Sequence, residues 1–155
     1  MISNIDLDFY SDNPKILSMR DGVAKALLDI GKQDEKVIVL TADLSSSVRT
    51  DLFEKEIGFP RFIDVGIAEQ NLVTVASGLA ASGLLPYVAA YSAFSPGRNW
   101  EQIRTTICLN NQPVKIIGSH VGITVGPDGA THQMLEDIAL MRVLPNMQVF
   151  SPCDA

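Results

Sequence analysis

Apolar residues along the chain follow two alternating patterns. Short continuous runs rich in β-branched residues are typical of strands covered on both faces, whereas apolar stripes at helical spacing are typical of amphipathic helices. The runs predict strands at 37–42, 62–65, 85–91, 114–118 and 147–150, and the stripes predict helices at 18–31, 68–81, 99–109 and 135–143. Strands that alternate with helices pair in parallel through right-handed crossovers. We therefore predict an α/β fold in three layers, with a mostly parallel, twisted sheet between helices on both faces.

The chain is predicted to form one domain after a short arm. Residues 1–13 are polar and rich in Asp and Asn, which favours a loose arm or a strap onto a partner. Residues 14–155 contain no internal repeat and no interior linker, and their number suits a single globular domain. Within this domain, Gly31 is expected to be the stop signal of the first helix.

The charge and the cysteine content of the chain argue against several classes of partner and of cellular location. The 155 residues carry a formal net charge of −6 without a stripe of Lys and Arg, which argues against nucleic acid or an anionic membrane as the main partner. The N-terminus lacks the basic and apolar regions of a signal peptide, and no run of about 18 apolar residues occurs. Cys108 and Cys153 lack metal-binding spacing, so we expect reduced thiols and a cytoplasmic location.

Glu69 is the first candidate for chemistry. Ligands bind at the carboxyl ends of the strands in open parallel sheets, so sites are expected in the loops that follow strands. Glu69 comes soon after strand 62–65 and opens a helix that is apolar or small on nearly every face. An acidic residue there commonly does no more than complement the helix dipole. Because this helix is expected to be buried, however, the carboxylate would be partly desolvated and able to share a proton with a ligand nitrogen.

Two aromatic residues form the second candidate. Tyr91 and Phe94 lie where strand 85–91 ends. Aromatic residues at this spacing usually belong to the core. Their place after a strand also allows them to wall a pocket for a flat heteroaromatic ring.

The glycine-rich loop 118–133 is the third candidate. It contains both histidines of the chain, His120 and His132, with Asp128 between them. Its glycines let a ligand approach the backbone closely, while the polar side chains can converge on that ligand. A metal site stays open as an interpretation, but HExxH and CxxC spacings are absent, so a polyol or sugar-phosphate site fits better.

Weaker signals lie near the start of the domain. Asp43 opens a polar turn after strand 37–42, serines follow at 45–47, and Arg20 lies in the first turn of the first helix. Alone, such residues are typical of a turn and of a solvated surface. Together, Arg20 and the serines could clamp a phosphate, because helix N-termini and guanidinium groups both suit anions.

Five stretches closely resemble, in order, the pyrimidine-binding domain of transketolases. They are ADLSSS at 42–47, DVGIAEQN at 64–71, YSAF at 91–94, GSHVGITVGPDGATHQ at 118–133 and RVLPNMQVFSPCDA at 142–155. The resemblance runs from about residue 14 to residue 155. It implies a thiamine diphosphate enzyme that moves a two-carbon ketol unit from a ketose phosphate to an aldose phosphate, with the cofactor supplying the carbanion chemistry.

The resemblance also implies roles for the residues on the cofactor side. Glu69 would hydrogen-bond N1′ of the aminopyrimidine and favour its imino tautomer, so that the exocyclic 4′-nitrogen can remove the thiazolium C2 proton. Tyr91 and Phe94 match the aromatic positions that hold the pyrimidine ring. Asp43 is expected among the cofactor-binding residues as well.

Other residues would face the substrate. In transketolases the counterpart of His120 lies in the substrate channel near the sugar phosphate, that of Asp128 meets the acceptor's C2 hydroxyl, and that of His132 lies near the donor's hydroxyls. Arg20 and Ser47 match residues that grip the substrate phosphate. The expected catalytic residues are Glu69, His120 and His132.

The resemblance implies a partner subunit. Nothing in the sequence resembles the diphosphate-binding or C-terminal domain of full-length transketolases. We therefore expect one piece of a split transketolase, or a shortened chain, that is inactive alone because family sites form between two subunits. The partner would be a diphosphate-binding subunit that holds Mg²⁺ or Ca²⁺, with no metal ligand in this chain. The apolar helix 71–82 is a candidate dimer seam, which favours a homodimer within a larger hetero-oligomer.

Three alternatives remain. 1-Deoxyxylulose-5-phosphate synthase shares the Tyr-Ser-x-Phe motif, but its loop typically has arginine at the position of His120. The beta subunit of 2-oxoacid dehydrogenases shares the fold and a cofactor-facing Glu but lacks the GPDGATHQ pattern. A non-catalytic assembly or regulatory subunit would keep the fold without needing Glu69, both histidines and Asp128, so their presence argues against it.

Overall fold

The computed structural model describes residues 11–13, 16–123, 125–153 and 155. Of the predicted arm, only residues 11–13 fall within the described part, so that arm stays a prediction. The elements are α1 (Met19–Gln33), β1 (Val37–Thr41), α2 (Asp51–Glu56), β2 (Phe62–Asp64), α3 (Glu69–Ala81), β3 (Leu85–Tyr91), α4 (Trp100–Gln102) with a π-helical continuation (Ile103–Cys108), β4 (Lys115–Ser119), a 3₁₀ turn (Gly129–Thr131) and α5 (Asp137–Arg142).

The four strands form one parallel sheet in the order β2-β1-β3-β4. Val39 of β1 lies opposite Phe62 of β2 and Tyr87 of β3, while Ala89 of β3 lies opposite Ile117 of β4. Each connection between parallel neighbours contains helical structure, as crossovers require. The predicted parallel α/β fold is confirmed.

The sheet lies between two apolar layers. All five residues of β1 are buried, which explains the continuous apolar run in its sequence. Ile38 and Leu40 join a core cluster that includes residues of α3, the π-helical segment and α5. Val37 and Val39 point to the opposite face, where they pack with residues of α1, α2 and β2. Alternate residues of the strand therefore pack against the helices on opposite faces of the sheet, and the predicted three layers are present.

Gly31 has a different role from the predicted one. Helix α1 continues to Gln33, two residues past this glycine. Gly31 is buried, and a Cβ atom added to it would collide with the ring of Phe53 on α2. Close packing between α1 and α2, rather than helix termination, therefore requires glycine here.

Other predicted elements differ in detail. Helix α2 was absent from the sequence prediction, and the strand predicted at 147–150 is wrong: these residues make no ladder, and the Phe150 side chain is exposed. The helix predicted at 99–109 begins at Trp100 and widens into π-helical geometry, where the Ser77 hydroxyl of α3 donates to the Thr106 carbonyl at 2.7 Å. In the described part of the chain, no helix is both long and apolar enough to span a bilayer.

Candidate active site

The loops at the carboxyl ends of the strands meet at one edge of the sheet. Asp64 ends β2, and its Oδ1 atom accepts the backbone N–H groups of Asp43 at 2.8 Å and of Gly66 at 2.9 Å. Asp43 and Gly66 both have positive φ values, 58° and 71°, so the chain turns sharply after β1 and after β2. One carboxylate thus ties together two loops that border the candidate site.

Glu69 is the first residue of α3 and is buried, with 3% of its surface exposed. Its Oε2 atom pairs with Arg98 Nη1 at 2.8 Å. Within the described residues, Oε1 has no hydrogen-bond partner. The carboxylate therefore has one oxygen engaged by a guanidinium and one free to accept from a ligand. The burial that the apolar helix predicts is present, and the ion pair is an addition that the sequence reasoning missed.

Asn99 holds the main chain of the same residue. Its Nδ2 donates to the Glu69 carbonyl at 2.8 Å and to Ser95 Oγ at 3.1 Å, and both Asn99 and Ser95 are completely buried. The chain turns tightly between Ser95 and Asn99, where a Cβ on Gly97 would collide with the Ala93 carbonyl. Sequence reasoning missed Asn99, although its place just after a strand-end turn is a signal that could have found it.

The aromatic residues form a continuous cluster with the two histidines. The ring of Tyr91 is nearly parallel to that of Phe94, with centroids 5.8 Å apart, and His132 meets Phe94 edge-on at 5.2 Å. The Arg98 guanidinium lies 4.7 Å from the Phe94 ring centroid, in cation–π geometry. Phe94 therefore connects the carboxylate side of the site with the histidine side.

A cavity of about 270 Å³ lies beside these groups. It is lined by Ala42, Asp43, Leu44, Ile67, Glu69, Phe94 and Arg98. Its volume falls just below the range of about 300 to 1,000 Å³ of drug-sized ligand sites, so it suits a single ring. A larger hollow of about 480 Å³ contains none of the predicted site residues and is lined mostly by apolar groups. Chemistry, not size, therefore favours the smaller cavity.

His120 has a defined protonation pattern. The Ser119 hydroxyl donates its one proton to the Ala90 carbonyl at 3.2 Å, so Ser119 Oγ accepts from His120 Nδ1 at 2.9 Å. This leaves His120 Nε2 as the acceptor for Arg20 Nη1, 3.4 Å away. Burial lowers the pKa of His120, the charge of Arg20 lowers it further, and Asp128 opposes the shift. His120 is accordingly a neutral acceptor at pH 7.

Three other predicted substrate residues are Arg20, Ser47 and Asp128. Arg20 contacts the carbonyl oxygen of Ser47 at 2.9 Å, so this contact uses the Ser47 backbone and not its hydroxyl. Asp128 is exposed, and in the part of the chain that the structure describes only its carbonyl accepts a hydrogen bond, from Thr131 at 3.4 Å. Thr131 Oγ1 also lies 2.8 Å from His132 Nδ1 and orients that ring.

The described residues include no group of three or more His, Cys, Asp or Glu side chains that could hold a metal ion. The two histidines are instead engaged by hydroxyl groups and by aromatic rings. What the site offers is a buried carboxylate, aromatic faces and hydrogen-bonding imidazoles. Such groups suit a nitrogen heterocycle next to a polyhydroxylated ligand.

The family model for the pyrimidine-binding domain of transketolase matches residues 15–155. The chain therefore belongs to the transketolase pyrimidine-binding domain family, as the sequence resemblance predicted. It is 49% identical over 137 residues to a Methanocaldococcus jannaschii protein named "Putative transketolase C-terminal section", covering 88% of this chain and 43% of that protein. It is 40% identical over 144 residues to the 1-deoxy-D-xylulose-5-phosphate synthase of Acaryochloris marina, covering 93% of this chain and 22% of that enzyme.

A solved structure has the same fold. It is described as a split-gene transketolase in an inactive β4 tetramer, and it matches with a TM-score of 0.76 and 47% identity over 90% of this chain and 44% of that chain. The chain thus spans less than half the length of these relatives.

Proposed function

We propose that this chain supplies the pyrimidine-binding part of a thiamine-diphosphate-dependent transketolase, which transfers a two-carbon ketol unit from a ketose phosphate to an aldose phosphate. The observation that carries the proposal is the buried Glu69 carboxylate, which lines a ring-sized cavity together with Phe94. Family membership and the nearby histidine pair support the same conclusion.

The residues of the cavity fit the aminopyrimidine part of the cofactor. Glu69 Oε1 would accept from a ring nitrogen, the faces of Phe94 and Tyr91 would border the flat ring, and Asp43 lies on the cavity wall. When bound, thiamine diphosphate supplies a nucleophilic carbon that can take up and release the ketol unit. The chain would supply orientation and electrostatics.

The acid–base role falls to Glu69. Its burial removes competing water, so a hydrogen bond that this carboxylate accepts from a ring N–H group is strong. A carboxylate at this point can hold a proton at N1′ and favour the imino form of the ring.

The substrate side begins at His120 and Arg20. His120 presents Nε2 as an acceptor, which suits a hydroxyl donor, whereas the neighbouring Arg20 guanidinium suits a phosphate group. His132 and the exposed Asp128 lie further along the same loop as His120 and would meet sugar hydroxyls. Ser47 would take part through its hydroxyl, since its carbonyl already binds Arg20.

The assembly is part of the proposal. A diphosphate-binding subunit would complete the site and hold Mg²⁺ or Ca²⁺, and two copies of this chain would meet along helix α3 within a larger hetero-oligomer. The names of two relatives, a C-terminal section and a split-gene transketolase, support a divided enzyme. The net charge of −6 supports a site without nucleic acid or membrane as partner, in which a few placed residues would hold the phosphate of a sugar against the overall charge. A cytoplasmic location and a role in pentose phosphate metabolism complete the proposal.

The test is reconstitution. The chain is combined with a diphosphate-binding transketolase subunit, thiamine diphosphate and Mg²⁺, and ketol transfer between sugar phosphates is assayed. Activity should require both subunits, vanish with Glu69→Gln and persist with Glu54→Gln, which changes an exposed glutamate on α2. Absence of transfer with every partner and sugar phosphate tried would contradict the proposal and favour a non-catalytic assembly or regulatory subunit.

A second candidate function is favoured by the 40% identity to a 1-deoxy-D-xylulose-5-phosphate synthase. The same reconstituted mixture separates the two. A synthase would release CO₂ from pyruvate in the presence of glyceraldehyde 3-phosphate, whereas a transketolase would exchange ketol units between sugar phosphates without CO₂ release.

A further inference from the structure

Helix α3 begins at Glu69 without a side-chain cap. Its N-cap residue, Ala68, has no side-chain hydrogen bond to offer, and its backbone is neither helical nor extended, with φ −145° and ψ 64°. The proposed function nevertheless needs the Glu69 carboxylate in one orientation at the cavity. The groups that provide this orientation must come from outside the helix.

The first such group is the amide of Asn99. Its nitrogen faces the Glu69 carbonyl, which can only accept, so the amide orientation is determined; the reverse orientation would oppose two oxygens. Oδ1 of Asn99 is buried without a partner among the described residues. An unpaired buried acceptor costs free energy of folding. The fold accepts this cost where it places the Asn99 donors on Glu69 and on Ser95.

The second group is the guanidinium of Arg98. It donates to Glu69 Oε2 at 2.8 Å and lies over the Phe94 ring at 4.7 Å, so two contacts restrain its position although half of the side chain is exposed. A planar guanidinium held against an aromatic face is a more rigid partner than a free surface cation. Because it takes Oε2, it leaves Oε1 for the cavity.

We propose that Arg98 and Asn99 are positioning residues for Glu69. Asn99 fixes the main chain at the start of α3, and Arg98 fixes the carboxylate so that Oε1 faces the ligand. This inference rests on the proposed function. The turn after β3 would then orient the Glu69 carboxylate, in addition to any contact that Tyr91 and Phe94 make with the ring of a ligand.

Together, the contact of Arg98 with the carboxylate and the contact of Asn99 with the main chain of Glu69 form a clamp. Its carboxylate half is tested in the enzyme assembled with its diphosphate-binding subunit. Arg98→Gln should lower kcat at least about tenfold with the KM of the ketose donor changed less than about threefold, and Arg98→Lys should recover part of kcat. Calorimetric titration of thiamine diphosphate should show weaker binding by Arg98→Gln. The matched control is Arg104→Gln, which removes a guanidinium 5.2 Å from the Trp100 ring and should match wild type in all three measurements. If Arg98→Gln equals Arg104→Gln, the carboxylate clamp is overturned.

The main-chain half is tested without any activity. Amide hydrogen exchange of residues 69–73 is measured in the chain carrying Asn99→Asp, or the milder Ser95→Ala if the first variant does not fold. Exchange should accelerate at least about threefold in this helical turn. The control is Asn110→Asp, whose exposed amide donates to the Thr105 and Thr106 carbonyls and should leave residues 69–73 unchanged. Unaltered exchange in Ser95→Ala and Asn99→Asp would overturn the clamp. A wild-type assembly without ketol transfer would instead contradict the proposed function, and the exchange result would stand by itself.

Discussion

The imidazole of His120 lies flat on the ring of Tyr91, with centroids 3.8 Å apart and 26° between the planes. His120 has a positive φ of 54°, and Ser119 and Arg20 engage its two ring nitrogens. The hydrogen bonds thus fix one tautomer, and the stacking fixes the plane of the ring. The arrangement has a consequence for pH dependence.

We expect His120 to titrate below its ordinary pKa of 6.5, because burial and the Arg20 charge both disfavour the imidazolium. As the pH falls from 6.5 toward the lowered pKa, the unfolded chain binds a proton more readily than the folded chain, so the free energy of unfolding falls. Nuclear magnetic resonance of the imidazole C–H signals measures the shift. Arg20→Gln should raise the pKa of His120, and His120→Asn should remove this part of the pH dependence of stability. If the pKa of His120 is the same in Arg20→Gln as in wild type, the Arg20 charge does not lower it.

His132→Ala should reduce turnover about tenfold to a hundredfold while the dissociation constant of thiamine diphosphate changes less than about threefold. The reason is its location: the ring touches Phe94 edge-on at 5.2 Å and does not line the cavity beside Glu69. Steady-state kinetics and calorimetry on the assembled enzyme provide the two values. A large loss of cofactor affinity with little loss of turnover would place His132 on the cofactor side instead.

Asp64→Ala should lower the free energy of unfolding by about 1 kcal/mol, because two backbone N–H groups lose their acceptor. Asp64→Asn keeps an acceptor oxygen and should lose less. Urea unfolding of both variants gives the comparison. Equal stability of Asp64→Ala and wild type would mean that the contacts to Asp43 and Gly66 do not hold the two loops together.

Gly31→Ala should destabilise the chain by about 1 to 3 kcal/mol, since the added methyl group collides with Phe53. The effect should be smaller in a Phe53→Leu background, because the shorter side chain leaves room. A double-mutant cycle from denaturant unfolding measures the coupling. Additive effects of the two substitutions would contradict the assigned role of Gly31 in close packing against Phe53.

The strands and the long helices could be predicted because burial leaves a periodic signal. β1 is apolar at nearly every position, and α3 is nearly apolar all round, so each had one sensible assignment. The strand predicted at 147–150 was wrong because an apolar run forms a strand only where it can pair with the edge of a sheet. Here the run does not pair, and Phe150 stays exposed. Helix α2 escaped because it buries one residue, Phe53, and therefore has no apolar stripe.

The sequence suggested several residues of the candidate site but not the contacts between them. Sequence position suggested Glu69, the aromatic pair and the histidine loop, which the structure brings to one edge of the sheet. Arg98 and Asn99 were missed, because an Arg after a Pro-Gly turn looks like a solvated loop residue and an Asn at the start of a predicted helix looks like a helix cap. Only three-dimensional packing shows that one reaches a buried carboxylate and the other is itself buried.

Hydrogen–deuterium exchange at C2 of thiamine diphosphate, measured in the enzyme assembled with its diphosphate-binding subunit, tests the role of Glu69 most directly. The account predicts that Glu69→Gln slows exchange at least about a hundredfold while Glu54→Gln exchanges at the wild-type rate. Wild-type exchange in Glu69→Gln would contradict the account.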